Sequence, residues 1–291
     1  MHFDRSECRK TRGSEEKGRL TEPSKDTLGK NLVQFYDSLA PIYDLKYRNP
    51  SIEYMKQIEW SIIDRCTRGR QMRLLDLGCG TGSLAVKLAN RGNDVVGVDI
   101  SPEMVAIARR KAAEANVQSR TQFLVANIEE LPPLSGAFDF AYSAFGAFNH
   151  VRDLRAAIQG VGHVLSARCR LFISLASRMG IQGMQGDARS ARAPWKKIEM
   201  KEVGRAVWTR FYTRDEVEAA LSESGLSLTK VGGVFYLVRP SYVQSNTMHF
   251  GLKQRLMARA ESLIRWHGPA NHRATYLLFL AEKAVPSESR S

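Results

Sequence analysis

Along residues 73–99 the apolar positions form two short runs, separated by a glycine-rich turn and a helical stretch. Arg73–Leu77 has the length of a strand, and Gly78, Gly80 and Gly82 follow at alternate positions. Without a Cβ, those glycines let a ligand lie against the backbone before Ser83–Ala89 begins a helix. A second strand over 94–98 runs into Asp99, where an acid in a βαβ unit is placed to accept hydrogen bonds from ribose hydroxyls. The alternation of periods continues downstream. It predicts a helix from Ser101-Pro102 to about Ala115, strands over 121–126 and 138–143, a helix over 153–165 and a strand over 170–175. Upstream, Ile52, Met55, Ile58, Ile62 and Ile63 share one face of a helix over 52–66. Residues 202–211 alternate around Gly204 like a short strand or hairpin, and Thr213 with Glu216 forms a capping box for a helix over 214–224. Two last strands are predicted over 226–236 and 274–281. Between them Leu252, Leu256, Met257, Ala260, Leu263, Ile264 and Trp266 mark an amphipathic helix that also carries Lys253, Arg255, Arg259 and Arg265. Such a helix either packs against the sheet edge or lies on a membrane.

The glycine spacing narrows the ligand. Dinucleotide folds use G-x-G-x-x-G directly after the strand, whereas Asp76 here sits inside the strand end, where it would repel a pyrophosphate and suit an ammonium group. The run Leu74-Leu75-Asp76-Leu77-Gly78-Cys79-Gly80-Thr81-Gly82, with Asp99 ending the next strand, resembles the class I S-adenosylmethionine-dependent methyltransferases. The resemblance implies an α/β fold with a seven-stranded, mostly parallel, doubly wound sheet, six strands parallel and the last antiparallel. It implies S-adenosylmethionine across the carboxyl edge, S-adenosylhomocysteine as product, and no metal. Tyr36, Asp76, Gly78, Cys79, Gly80, Gly82, Asp99, Ile100, Met104, Asn127, Ile128 and Ser143 are the cofactor-side candidates, with Asn127 where the family most often has an aspartate. Residues 35–44 resemble the paired Tyr-Asp segment that closes over the cofactor in many small-molecule members. His150, in the loop after the fourth strand, matches a histidine of similar amino-sugar and small-amine enzymes and is the leading catalytic candidate, with Asn149 and Tyr43 beside it. An imidazole titrating near 6.5 would serve as a base at neutral pH.

The chain of 291 residues is long enough for one domain with insertions. The expected division is a tail over 1–27, a methyltransferase domain over 28–285 and a tail over 286–291. Within the domain, covering helices span 28–72, a substrate-covering insertion 176–212 and a helical insertion 240–272. No apolar run approaches the roughly 18 to 20 residues of a membrane span, and the start of the chain lacks the apolar core of a secretory signal. The four cysteines, Cys8, Cys66, Cys79 and Cys169, show no metal or disulfide spacing. A cytoplasmic protein with reduced thiols is expected, as monomer or homodimer. The net charge of +13 is concentrated: 152–214 carries thirteen Lys or Arg against four acids, and 239–273 six against one. That excess fits a solvated surface, an anionic substrate, an acidic membrane surface or RNA. A small-molecule metabolite accepting the methyl on O, N or C is the expected substrate. An RNA (tRNA) methyltransferase and a non-catalytic protein of the same fold are the alternatives; no RNA-binding module supports the first, and the presence of both Asp76 and Asp99 argues against the second.

Overall fold

Leu74 and Leu75 are both fully buried, yet they point to opposite faces of the sheet. That is the mark of a strand covered on both sides. The computed structural model describes residues 22–178, 180, 194–238, 250–267 and 273–284. Of the expected tail over 1–27, residues 1–21 lie outside the described residues, while 25–27 already belong to the first helix; the tail 286–291 and the stretches 181–193, 240–249 and 268–272 of the two expected insertions also lie outside them.

The elements, in chain order, are α1 (Lys25–Leu39), α2 (Tyr43–Lys46), α3 (Pro50–Thr67), β1 (Arg73–Leu77), α4 (Ser83–Ala89), β2 (Asp94–Asp99), α5 (Pro102–Glu114), β3 (Thr121–Val125) and β4 (Phe138–Ser143). They continue with α6 (Leu154–Val164), β5 (Leu165–Ala176), β6 (Trp195–Met200), β7 (Arg205–Arg210), α7 (Arg214–Glu223), β8 (Leu226–Val234), α8 (Leu252–Ile264) and β9 (Tyr276–Lys283). Seven strands form one sheet in the order β3-β2-β1-β4-β5-β9-β8. The first five run parallel, and β9 lies antiparallel between β5 and β8, so six strands share one direction. Strand order reverses between β1 and β4, which opens a crevice at the carboxyl edge.

Helices cover both faces. On one, Met55, Ile58, Ile62 and Ile63 of α3, Leu88 of α4 and Val105 and Ala108 of α5 pack on Leu74, Val95 and Phe140. On the other, Leu154 and Ile158 of α6 and Val217 and Leu221 of α7 pack on Leu75, Val96 and Leu171. The capping box of Thr213 and Glu216 forms as expected, and Ser101 and Asp153 cap α5 and α6.

Two stretches differ from expectation. Residues 202–211 are the turn and second strand of a hairpin whose first strand is Trp195–Met200, and Gly204 sits in that turn at φ +61°. Trp195, Val207 and Trp208 bury against Leu28, Leu32 and Phe35 of α1, so this separate two-stranded sheet packs on the N-terminal helix. In α8 the leucines do not form the docking face: Met257 and Ala258 pack on the core, but Leu252, Leu256 and Leu263 are 76%, 55% and 77% exposed. The buried residue is Glu261. Its carboxylate accepts four consecutive backbone N–H groups beyond the end of β8, from Phe235, Tyr236, Leu237 and Val238 at 3.1–3.2 Å, and the Tyr54 hydroxyl at 3.1 Å. No apolar side chain could satisfy those donors, and each would otherwise cost about 1–3 kcal/mol.

Glu261→Leu should therefore destabilise the fold by about 3 kcal/mol or more, lowering the thermal midpoint on the order of 10 °C. Leu263→Ser, on the same helix, should leave the midpoint unchanged. Calorimetric melting of the two variants tests the inverted orientation of α8.

Candidate functional site

The turn after β1 is shaped by backbone bonds. Gly78 and Cys79 both donate to the Val98 carbonyl, at 2.8 and 2.9 Å. Gly80 N–H reaches Asp99 Oδ2 at 2.8 Å and Ser101 N–H reaches Oδ1 at 3.0 Å, so each oxygen of that carboxylate is held while keeping acceptor capacity. Gly80 adopts φ +51°, and the nearest atoms to a Cβ built there, at 3.9–4.0 Å, belong to Tyr43, which leaves room above the loop. A Cβ on Gly78 would lie 2.3 Å from that of Ala147, so the β1 and β4 turns touch there.

A cavity of about 390 Å³ opens over this turn. Asp76 lines it, buried, with the Tyr142 hydroxyl donating to Oδ2 at 3.0 Å. Burial pushes the Asp76 carboxyl up to about 8, against the bond from Tyr142, and burial also raises Asp99. Among the described residues neither acid has an ion-pair partner. Two carboxyl groups without a cation, Asp76 buried and Asp99 partly so, framing an open glycine turn, suit a ligand that brings positive charge and hydroxyl groups.

The N-terminal segment spans the cavity. Tyr36 and Tyr43 face it, seven residues apart and so on one side of a helical path, while the acids after them hold the segment down. Asp37 Oδ1 accepts from the Ser101 hydroxyl at 2.5 Å, at the start of α5, and Asp44 Oδ1 accepts from the Thr81 hydroxyl at 2.8 Å. Lys111 Nζ lies 2.6 Å from Asp44 Oδ2.

His150 joins this segment to the hairpin. Its Nδ1 is 2.9 Å from the Trp208 carbonyl, which only accepts, so Nδ1 carries the proton. Nε2 is left with a lone pair, and the Tyr36 hydroxyl donates to it at 2.7 Å. The titration expected near neutrality is overturned: burial pushes the imidazole down to about 4, against the bond to Trp208.

Of the sequence candidates, Tyr36, Tyr43, Asp76, Gly78, Cys79, Gly80, Asp99, Ile100, Met104, Asn127, Ile128 and His150 line one cavity. Three candidates lie off it. Gly82 is where α5 approaches the α4 start, a Cβ there lying 2.6 Å from that of Ala108. Ser143 is buried and donates to the Leu77 carbonyl at 2.9 Å, tying β4 to β1. Asn149 is buried and its amide is spent on backbone: Nδ2 on the Ala176 and Arg210 carbonyls, Oδ1 on Ala176 N–H. The sequence reading missed Glu59, Tyr47 and Phe145, all at the cavity. Glu59, buried on α3, accepts from Phe145 N–H at 2.9 Å and from the Ser174 hydroxyl, and burial pushes it up to about 7. It holds Phe145 at φ +64°, a left-handed conformation that costs a bulky residue energy. The repeated Tyr-Asp was the available signal for Asp37 and Asp44, whereas Glu59 reads in sequence as a solvated helical charge.

Residues 74–168 match the family model of a methyltransferase domain. An uncharacterised protein of Methanocaldococcus jannaschii is 33% identical over 215 residues, 69% of this chain and 78% of that protein. The 27-O-demethylrifamycin SV methyltransferase of Amycolatopsis mediterranei is 28% identical over 257 residues, 84% of this chain and 89% of that enzyme. In fold, the crystal structure of the CcbJ methyltransferase of Streptomyces caelestis superposes with a TM-score of 0.59 at 15% identity, over 86% of this chain and 98% of that one.

Nitrogen NMR of the histidine rings should find His150 neutral, with the proton on Nδ1, from pH 8 down to about 5, and titrating only near 4. A midpoint near 6.5 would overturn the buried, Trp208-bonded geometry.

Proposed function

This chain belongs to the class I S-adenosylmethionine-dependent methyltransferases, and from that membership we propose that Asp76, Asp99 and the 78–82 turn hold the cofactor while His150 serves an oxygen, nitrogen or carbon nucleophile of a small-molecule acceptor. S-adenosylmethionine is the cofactor, and when bound it supplies an electrophilic methyl on a sulfonium. The observation that carries the reading is the pair of cation-less carboxyl groups, Asp76 buried and Asp99 partly so, beside an imidazole whose Nε2 accepts from the Tyr36 hydroxyl at the same cavity. Asp99 would accept from the ribose hydroxyls with the acceptor capacity left by Gly80 and Ser101. Asp76 would lie toward the ammonium end. Ile100, Met104 and Ile128 would form apolar walls for the base, and Asn127 keeps a carbonyl acceptor for its amine. A relative named for 27-O-demethylrifamycin SV supports a small-molecule acceptor.

At the acceptor end, α1, α2 and the β6–β7 hairpin would exclude water and align the nucleophile, which supplies much of the rate when the donor is already activated. The nucleophile's proton would pass to the Tyr36 oxygen as the Tyr36 proton moves to His150 Nε2, and the imidazolium would be steadied by the Trp208 carbonyl on Nδ1–H. A buried imidazole is a weak base for a free hydroxyl or amine. It is adequate here because an oxygen or nitrogen forming a bond to carbon becomes far more acidic as positive charge grows on it.

Two outcomes test the assignment. Because Asp76 is protonated below about 8 in the free protein and a cationic ligand favours its carboxylate, S-adenosylmethionine affinity should rise with pH up to about 8 and then level. Titration calorimetry should find proton release on binding, a slope abolished in Asp76→Asn, and affinity reduced at least about thirtyfold in Asp99→Ala. Unchanged affinity in a folded Asp99→Ala protein would sink the cofactor site.

For the acceptor end, single-turnover rates in His150→Ala and His150→Gln should fall about a hundredfold to ten-thousandfold with cofactor affinity intact. In the parent the acid limb of the rate should lie near pH 4, and a limb between 6 and 7 would exclude His150 as its source.

A further inference from the structure

Helix α8 is amphipathic in a direction that packing does not use. With Glu261 turned inward, the residues half a turn away are Leu252, Leu256 and Leu263, which point into solvent as one stripe. Arg255 and Arg259 border the stripe on one side and Lys253 on the other, all exposed and, among the described residues, without ion-pair partners. The helix has one acid, and it is buried. The outward half is therefore leucine and cation, with no compensating negative charge.

We propose that α8 is an interfacial anchor: its leucine stripe enters the surface of an anionic lipid bilayer, and Lys253, Arg255 and Arg259 lie among the headgroups. An exposed apolar stripe on a folded surface marks an interaction site, and cations flanking leucines match the headgroup and acyl boundary. Two other occupants fit less well. A second copy of the chain meeting this face about a two-fold axis would set Arg255 and Arg259 of each copy against the same residues of the other, a like-charge contact. RNA would use the cations, but the outward face carries no aromatic ring for base stacking and would leave three leucines without a role. The anchor adjoins the cavity through α3: the Tyr54 hydroxyl donates to Glu261 Oε1 of α8 at 3.1 Å, while Glu53, Gln57 and Trp60 of α3 line the cavity. Docking by α8 would therefore hold the catalytic cavity beside the bilayer, where an apolar acceptor dissolved in lipid is concentrated. This names a partner for the methyltransferase described above, but the surface stands on its own residues.

The test is co-sedimentation of the full chain with vesicles of phosphatidylglycerol and phosphatidylcholine, against pure phosphatidylcholine. Binding is expected only to the anionic vesicles, falling steeply between about 50 and 200 mM salt. Arg255→Gln with Arg259→Gln, and separately Leu256→Ser with Leu263→Ser, should each weaken it by about tenfold or more. Both double variants should keep the parent's cofactor affinity, which shows that the fold is intact. No binding by the parent, or equal binding by parent and both variants, overturns the anchor. So does a parent dimer in sedimentation equilibrium that Leu256→Ser with Leu263→Ser dissociates, or retention of RNA with no retention of vesicles. Failure of the parent to bind S-adenosylmethionine would strike the methyltransferase assignment and leave the vesicle result standing.

Discussion

A buried carboxylate without a cation is a cost that the rest of this molecule is built around. Asp76 and Asp99 stand at the carboxyl ends of neighbouring parallel strands, where desolvation disfavours their charge. The backbone answers only part of that demand. Gly80 and Ser101 each donate one N–H to Asp99, and Tyr142 donates one hydroxyl to Asp76. The remainder is a standing electrostatic preference for a cationic ligand, written into the sheet edge. The glycine turn makes the preference usable, since a side chain at Gly80 would project into the cavity.

The cover over this edge is tied on by the same residue type in the opposite role. Asp37 and Asp44 meet donors as soon as they arrive: a serine hydroxyl at the start of α5 for one, Thr81 and Lys111 for the other. A Tyr-Asp dipeptide repeated two helical turns apart thus separates its work. The rings face the cavity and the carboxylates fasten the segment, so the N-terminal helices are positioned by the ends of α4 and α5 that also frame the cavity.

Much of this was readable in the sequence because it is local. β1, α4, β4 and the start of α5 each declare themselves within a few residues, through period, glycine and cap. The parts that were not readable depend on partners far along the chain. Ser143 and Asn149 look like site residues because a polar side chain at a strand end can serve ligand or backbone equally; the carbonyls of Leu77 and Arg210, more than sixty positions away, claim them. Glu59 resembles any charged residue on an amphipathic helix until Ser174 and Phe145 close over it. α8 misleads for a related reason. Counting apolar residues points the leucines inward, but four unpaired N–H groups after β8 outweigh them and draw in the glutamate.

The Tyr36, His150 and Trp208 contacts join three stretches of chain that share no secondary structure: the N-terminal helix, the loop after β4 and the hairpin. Remove the hairpin carbonyl and the imidazole proton is free to migrate to the other nitrogen, which extinguishes the lone pair that Tyr36 meets. On the proposed chemistry the proton acceptor is thus a coincidence detector, configured only while both walls of the cover are seated.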